Sequence, residues 1–199
     1  MEKFQNKFRN GTARAPFWEY GWDAAYFITI CTHDRKCWFG DVLNGKMILS
    51  DIGGIVNHDW LKTFEMRPDM NLMMGEYIVM PNHFHAIITI GPNEYNSGGW
   101  TAIHNGTAMD NGTAMHNGTA MHCGSTGNTM NQFGPQSKNL PSIIRGFKIG
   151  VTKNARIINP GFKWQMRYHD HIIRNEKSYH RITKYILDNP GKWGDRGRF

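Results

Sequence analysis

The fourteen residues Tyr77-Ile-Val-Met-Pro-Asn-His-Phe-His-Ala-Ile-Ile-Thr-Ile90 constrain the fold of this chain more than any other stretch. They are dense in β-branched and aromatic residues, so they read as a strand, whose side chains alternate between faces with a period of two. On that reading His83 and His85 project from one side, and Ile78, Met80, Phe84, Ala86, Ile88 and Ile90 from the other. One face is a core face. The other carries two imidazoles side by side on a rigid element, which is half of a divalent-metal site; further ligands and open positions must come from elsewhere. The residues alone leave a second reading open, a structural pair in which one ring is merely hydrogen-bonded.

A chain of 199 residues is one domain with room for an insertion. Lys and Arg total 23 against 16 acidic residues, a net charge of +7, and 13% of the residues are aromatic. Cations suit phosphates and rings suit unpaired bases, so nucleic acid is a candidate partner, although charge alone fits any basic soluble protein equally well. Cys31, Cys37 and Cys123 form no C-x-x-C pair, which argues against a disulfide framework or a cysteine-based zinc site. No run approaches the roughly 18 apolar residues of a membrane span, and the N-terminus lacks the apolar core of a signal peptide. The expected location is cytoplasmic.

Residues 1–22 read as a polar arm that lays its rings, Phe17-Trp18-Glu19-Tyr20-Gly21-Trp22, on the domain. Tyr26-Phe-Ile-Thr-Ile-Cys-Thr32 is a β run. Trp38-Phe39-Gly40 and Asn44-Gly45-Lys46 carry turn signals, with Met47-Ile48-Leu49 as the returning strand of a hairpin. Ser50 and Asp51 are N-cap types, and Ile52, Ile55, Val56, Trp60 and Phe64 recur at helical spacing, which predicts a helix to about Phe64.

Composition changes at Gly91 and stays rich in Gly, Asn, Ser and Thr to about Asn139. Inside lies a hexapeptide tandem: Thr101-Ala-Ile-His-Asn-Gly106, Thr107-Ala-Met-Asp-Asn-Gly112, Thr113-Ala-Met-His-Asn-Gly118 and Thr119-Ala-Met-His-Cys-Gly124. Hexapeptide periods occur in β-helices, but these copies offer too little apolar surface to offset their ordering entropy. The segment reads as a disordered insertion, and His104, His116 and His122 as poor candidates for a site of fixed geometry.

A helix is predicted from Ser142 or the residue before it, with Ile143, Ile144, Phe147, Val151 and Ala155 as its apolar stripe and Arg145, Lys148, Lys153 and Arg156 on or beside its polar face. A last helix, capped by Asn175, runs from Glu176 to about Asn189 and stops before Pro190. Its apolar line is Tyr179, Ile182 and Ile186, while Tyr185 and Asn189 stand one turn apart on a neighbouring line. A histidine pair, a basic chain and a tyrosine-bearing helix together suggest phosphodiester chemistry, in which a divalent ion polarises the phosphate and a side-chain hydroxyl attacks it.

Five stretches in order, Tyr26–Thr32, Met80-Pro-Asn-His-Phe-His85, Ser142-Ile-Ile-Arg-Gly-Phe-Lys148, Tyr168-His-Asp-His-Ile-Ile-Arg-Asn175 and Tyr185-Ile-Leu-Asp-Asn-Pro190, closely resemble the REP-associated tyrosine transposases of the HUH single-tyrosine (IS200-like) superfamily. The resemblance runs from about Tyr26 to Trp193, outside the tandem. It implies an α+β, ferredoxin-like (RRM-like) fold, with helices on one face of an antiparallel sheet and a C-terminal helix bearing the nucleophile. It assigns the nucleophile to Tyr185, with Tyr168 and Tyr179 as rivals, and the ligands of Mg2+ or Mn2+ to His83, His85 and Asn189. The implied activity is cleavage and strand transfer of single-stranded, hairpin-containing DNA through a 5′-phosphotyrosine, that is, DNA transposition, by a monomer or homodimer. Arg167, His171 and Arg174 then join Arg145, Lys148, Lys153 and Arg156 as DNA-binding candidates. Residues 23–199 would form one domain carrying the insertion at about 91–139. A non-catalytic single-stranded nucleic-acid-binding protein, or another metal-dependent hydrolase, is the alternative.

Loop-closure entropy grows slowly with length, so removing residues 100–124, roughly half of the insertion, should change folding stability by only about 0.6 kcal/mol. Denaturant unfolding of the deletion variant checks this, and a loss of several kcal/mol would show an ordered segment.

Overall fold

A computed structural model of the chain describes residues 18–96 and 137–194, together with the backbone of a two-residue ladder pairing Lys3–Phe4 with Lys7–Phe8. From Ala24 onward the elements are β1 (Ala24–Cys31), β2 (Gly40–Leu43), β3 (Lys46–Leu49), α1 (Asp51–Glu65), β4 (Leu72–Met80), β5 (His83–Ile90), α2 (Leu140–Ile158), β6 (His169–Ile173) and α3 (Glu176–Leu187). The main sheet is antiparallel with strand order β4-β5-β1-β6. With α1 joining β1 to β4 and α2 joining β5 to β6, this is the β-α-β-β-α-β order of ferredoxin-like folds.

The sheet buries both faces unequally. Tyr26, Ile28 and Ile30 of β1 and Phe84, Ala86, Ile88 and Ile90 of β5 meet the stripes of α1 (Ile52, Val56, Trp60) and α2 (Ile143, Ile144, Phe147, Val151, Ala155) in the main core. The opposite face is covered by α3 through a smaller cluster, Ile87 and Ile173 against Ile182 and Ile186.

The fourteen-residue stretch is two strands, where the sequence reading made it one. Pro81 and Asn82 turn the chain, and β4 returns alongside β5 with Met80 opposite His83, Val79 opposite Phe84 and Ile78 opposite His85. Cross-strand partners share a face, so Ile78 and Met80 lie on the histidine side, while Tyr77 and Val79 face the main core. Alternation continued through a turn assigns every residue before it to the wrong side. A second irregularity, between Met74 and Tyr77, shifts the β4 register at Gly75, where an added Cβ would lie 2.8 Å from Ile87 Cβ and 2.9 Å from the Tyr179 hydroxyl.

The predicted hairpin forms as β2–β3, with Asn44 and Gly45 both left-handed at φ 51° and 72°, as an Asn-Gly turn between twisted strands requires. Its tip reaches the 3-10 turn Pro190–Lys192, since a Cβ on Gly45 would sit 3.7 Å from Gly191 Cα. Ser50 caps α1 by accepting from Gly53 N at 3.1 Å. Helix α2 begins at Leu140 rather than at Ser142 or the residue before it: Asn139 is the cap, and its side chain and that of Ser142 bond each other's backbone N–H in a capping box. Asn175 caps α3 as expected, but the helix ends at Leu187, two residues early, where Pro190 opens a short 3-10 turn. Strand β6, His-Asp-His-Ile-Ile, went unrecognised as a strand on periodicity alone because only its last two residues are buried.

The arm's described end packs as expected: Trp18 Nε1 donates to the Tyr26 hydroxyl at 3.1 Å, and Tyr20 stacks on Tyr26 at 5.9 Å. The first residues of the expected insertion, 91–96, pack on the domain. Asn96 is buried and its Nδ2 donates to the carbonyls of Gly91 and Gly21, so residues 91–96 belong to the domain. The tandem repeats, with His104, His116 and His122, lie outside the described residues. Among the described residues no helix is long and apolar enough to cross a membrane.

Trp60 is fully buried, ringed by Phe64, Tyr77, Phe84 and Phe147 at centroid distances of 5.0–6.4 Å. Trp60→Ala should cost about 3–5 kcal/mol of stability, read as a lower urea midpoint.

Candidate active site

Strand β5 is central in the sheet, which is why its histidines are both rigid and covered. His83 lies opposite Cys31 of β1 and His85 opposite Thr29. Their rings are 4.6 Å apart, and the residues are 8% and 4% exposed. Phe27, one pair further along the same face, stacks on His85 at 5.3 Å.

Each ring is held through Nδ1. Asn82 Nδ2 donates to the Arg35 carbonyl at 3.1 Å, which turns Asn82 Oδ1 toward His83 Nδ1 at 2.8 Å. An amide oxygen can only accept, so a neutral His83 carries its proton on Nδ1 and its lone pair on Nε2. Thr29 Oγ1 lies 2.8 Å from His85 Nδ1 and can hold that ring in the same tautomer. Asn82 and Thr29 were not singled out from the sequence: Asn82 was visible only as the neighbour of His83, and Thr29 carried no local signal, because its role comes from strand register.

Helix α3 brings the tyrosine. The rotation that buries Ile182 and Ile186 turns Tyr185 toward the sheet, where its hydroxyl lies 3.3 Å from His85 Nε2 and its ring meets Phe27 edge-on at 6.0 Å. Tyr168 instead packs against the main core on the other face of the sheet, and Tyr179 lies against Gly75.

Asn189 follows one turn after Tyr185. Its backbone is still helical, at φ −60° and ψ −44°, as is that of Trp193 one turn further, whose ring is 5.8 Å from His83. Asn189 therefore sits on the helical line between two residues that touch the histidine pair. It is 2% exposed, and its Nδ2 is buried without a hydrogen-bond partner. Among the described residues no three His, Cys, Asp or Glu converge, so a third protein ligand to this pair would be of another type, as an asparagine is.

Six of the seven basic candidates divide between two cavities. Arg145, Lys148, Lys153 and Arg156 line a groove of about 830 Å3 on the α2 side of the sheet. His171 and Arg174 line a cavity of about 800 Å3 beside the start of α3, with Asp170, Lys177 and Arg181. His171 lies opposite Phe27, on the face that carries His85, but at the edge strand and exposed. Arg167 is exposed, with φ +66°, and lines neither cavity.

No protein-family model matches the chain. An uncharacterised protein of Haemophilus influenzae Rd is 34% identical over 181 residues, covering 90% of this chain and 87% of that one. The two belong to one family. Among solved structures, a REP-associated tyrosine transposase bound to a REP hairpin aligns with a TM-score of 0.55 at 19% identity, covering 93% of this chain and 75% of that one. This chain has that transposase's fold, as the motif resemblance implied. A Deinococcus radiodurans R1 protein provisionally classed as a transposase is more distant, with TM-score 0.38 and 12% identity over 90% of this chain and 95% of that one.

The hydrogen-bond chain from Arg35 through Asn82 should keep neutral His83 in the Nδ1–H tautomer. Long-range 1H–15N NMR reads this directly, and Asn82→Ala should release His83 to a mixture of tautomers while leaving the sheet resonances in place.

Proposed function

We propose that this chain is a DNA strand transferase that cleaves and rejoins single-stranded, hairpin-containing DNA through Tyr185. The observation that carries the reading is the 3.3 Å approach of the Tyr185 hydroxyl to His85 Nε2. It sets a nucleophile of the right type beside the histidine pair, in a basic protein with the fold of a tyrosine transposase solved with a REP hairpin.

The residues fit a divalent ion. Both Nδ1 atoms are engaged, both Nε2 atoms can serve as ligands, and exchanging the two ends of the Asn189 amide puts its carbonyl oxygen, the end that can ligate a cation, where the buried Nδ2 has no partner. His83, His85 and Asn189 would hold Mg2+ or Mn2+ with about half of an octahedral shell left for water and phosphate oxygens. When bound, the ion supplies Lewis-acid polarisation of the phosphate and charge stabilisation in the transition state.

The chain's own part is covalent catalysis. The Tyr185 oxygen forms a bond to phosphorus and gives up its proton, while the bond from phosphorus to the 3′-oxygen breaks and that oxygen leaves as a hydroxyl. The product is a 5′-phosphotyrosine. It conserves the energy of the broken phosphodiester, so a DNA 3′-hydroxyl can displace Tyr185 later by the reverse exchange. Phe27, packed on both the His85 and Tyr185 rings, limits their movement and keeps the attacking oxygen aimed.

A hairpin oligonucleotide incubated with the protein and Mg2+ or Mn2+ should give a covalent adduct on a denaturing gel, and chelation should abolish it. Tyr185→Phe should form no adduct yet bind the hairpin within about tenfold of the parent, since one hydroxyl contributes about 0.5–1.5 kcal/mol. An adduct from that variant would sink the assignment, and binding without any adduct from the parent chain would favour a non-catalytic single-strand binder.

A further inference from the structure

Helix α2 presents its basic side to a groove whose other wall is the segment from Phe162 to Tyr168. Five lining side chains are cationic, Arg145, Lys148, Lys153, Arg156 and Lys163, and none is a carboxylate. Two of the five build the wall itself. Lys148 Nζ donates to the carbonyls of Gln165 and Arg167 at 2.9 and 3.2 Å, and Arg156 Nε donates to the Phe162 carbonyl at 3.2 Å. Burial accordingly holds the Lys148 pKa below its ordinary value. Arg145, Lys153 and Lys163 are exposed and present charge to whatever enters.

Between the cations lie flat and soft apolar groups. The Trp164 ring is braced by Phe39 at 5.3 Å and Phe162 at 5.4 Å, while Tyr168 is half-buried and Met166 is 83% exposed. A solvated helix face needs no such partner wall. Converging cations over braced rings match a single-stranded nucleic acid, whose phosphates take the charge and whose unpaired bases take the rings.

The groove also opens at the end of the sheet where the histidines sit. Thr32 bridges to Trp164, and His33 N donates to the Lys163 carbonyl, so the wall continues the line of β1. Cys31, two residues before His33, lies opposite His83. The groove mouth is thus roughly 7 Å along the chain and one strand spacing, about 4.8 Å, from the His83 backbone. Exposed Arg35 and Lys36 occupy the turn between, tied to the Pro81–Asn82 turn by the Asn82–Arg35 hydrogen bond. Asp34 in that turn is engaged by His33 Nδ1 at 2.8 Å.

We propose that this groove holds the unpaired strand flanking a hairpin and leads it round the end of β1 to the His83 side of the sheet. The proposal rests on the strand-transfer reading for its substrate but not on the chemistry at Tyr185.

The test uses the full chain with Tyr185→Phe, so that cleavage cannot intervene, and compares a fluorescent hairpin carrying a single-stranded flank with the same hairpin lacking it. Lys153→Glu with Lys163→Glu should weaken binding of the flanked hairpin about tenfold near 0.1 M salt and lower its salt slope by about 1.4, with no change for the unflanked hairpin. Equal losses for both hairpins, or none for either, would overturn the proposal. So would displacement of the flank by polyglutamate as readily as by unlabelled single strand, because the groove would then read charge alone. Independently of any variant, 5-iodouracil in the flank should photocrosslink to Trp164, Met166 or Tyr168, and a crosslink confined to other residues would also overturn it. Flank binding through the groove with no adduct from the parent chain would defeat the reaction and leave the groove standing. An adduct with groove variants that bind normally would do the opposite.

Discussion

Four isoleucines hold the Tyr185 helix to the sheet, and the geometry around the histidine pair depends on them. Ile182 and Ile186 of α3 close over Ile87 and Ile173, each burial contributing about 2 kcal/mol. Most of the rest of α3 is polar: Glu176, Lys177, His180, Arg181 and Lys184 are all exposed. A helix with one apolar line has one rotation that buries it, and that rotation carries Tyr185 to His85. Gly75 contributes from the facing strand. The register shift leaves it without a side chain where the Tyr179 hydroxyl descends, so the helix approaches as closely as the isoleucines require.

The Pro81–Asn82 turn sets the other half. The Asn82 carbonyl accepts from Thr32 N and from Thr32 Oγ1, both at 3.0 Å, and the Pro81 carbonyl accepts from Phe39 N at 3.0 Å. The turn therefore ties the exit of β1 and the entry to β2 into one unit, while its side chain fixes the His83 ring. Backbone and ring orientation are settled by the same residue. A loosened turn would lose both together, which is why the pair needs no carboxylate behind it to be oriented.

The three helices, their stripes and two of their caps were legible because each is a local pattern: Ser50 and Asn175 are capping side chains at the foot of periodic apolar runs. That Trp60 and Phe147 face the core followed from the same periodicity. What failed was side-chain parity carried through a turn. Alternation identified His83 and His85 correctly relative to each other but misassigned Ile78 and Met80, since the parity rule resets at Pro81. That His83, His85 and Tyr185 come together was an expectation of the motif resemblance, and the structure brings their side chains to one face, but the supports around them were illegible. Thr29 lies 56 residues from His85 in sequence and meets it only through the β1–β5 register.

The charge total of +7 likewise hid an arrangement. The cavity beside the start of α3 and the α2 groove adjoin: Tyr168 lines the groove and Asp170, two residues on, lines the cavity, and Leu140 N, beside the groove residue Pro141, donates to the carbonyl of the cavity residue Tyr20. Two residues of extended chain span about 7 Å. That is within the screening length of about 10 Å in 0.1 M salt, so where the two basic surfaces meet they act on a polyanion together rather than as independent sites. The groove in turn runs on to the Cys31 end of β1, where Thr32 bridges to Trp164. A ligand that engages its whole length is extended, and a compact acidic ligand would meet only part of the charge.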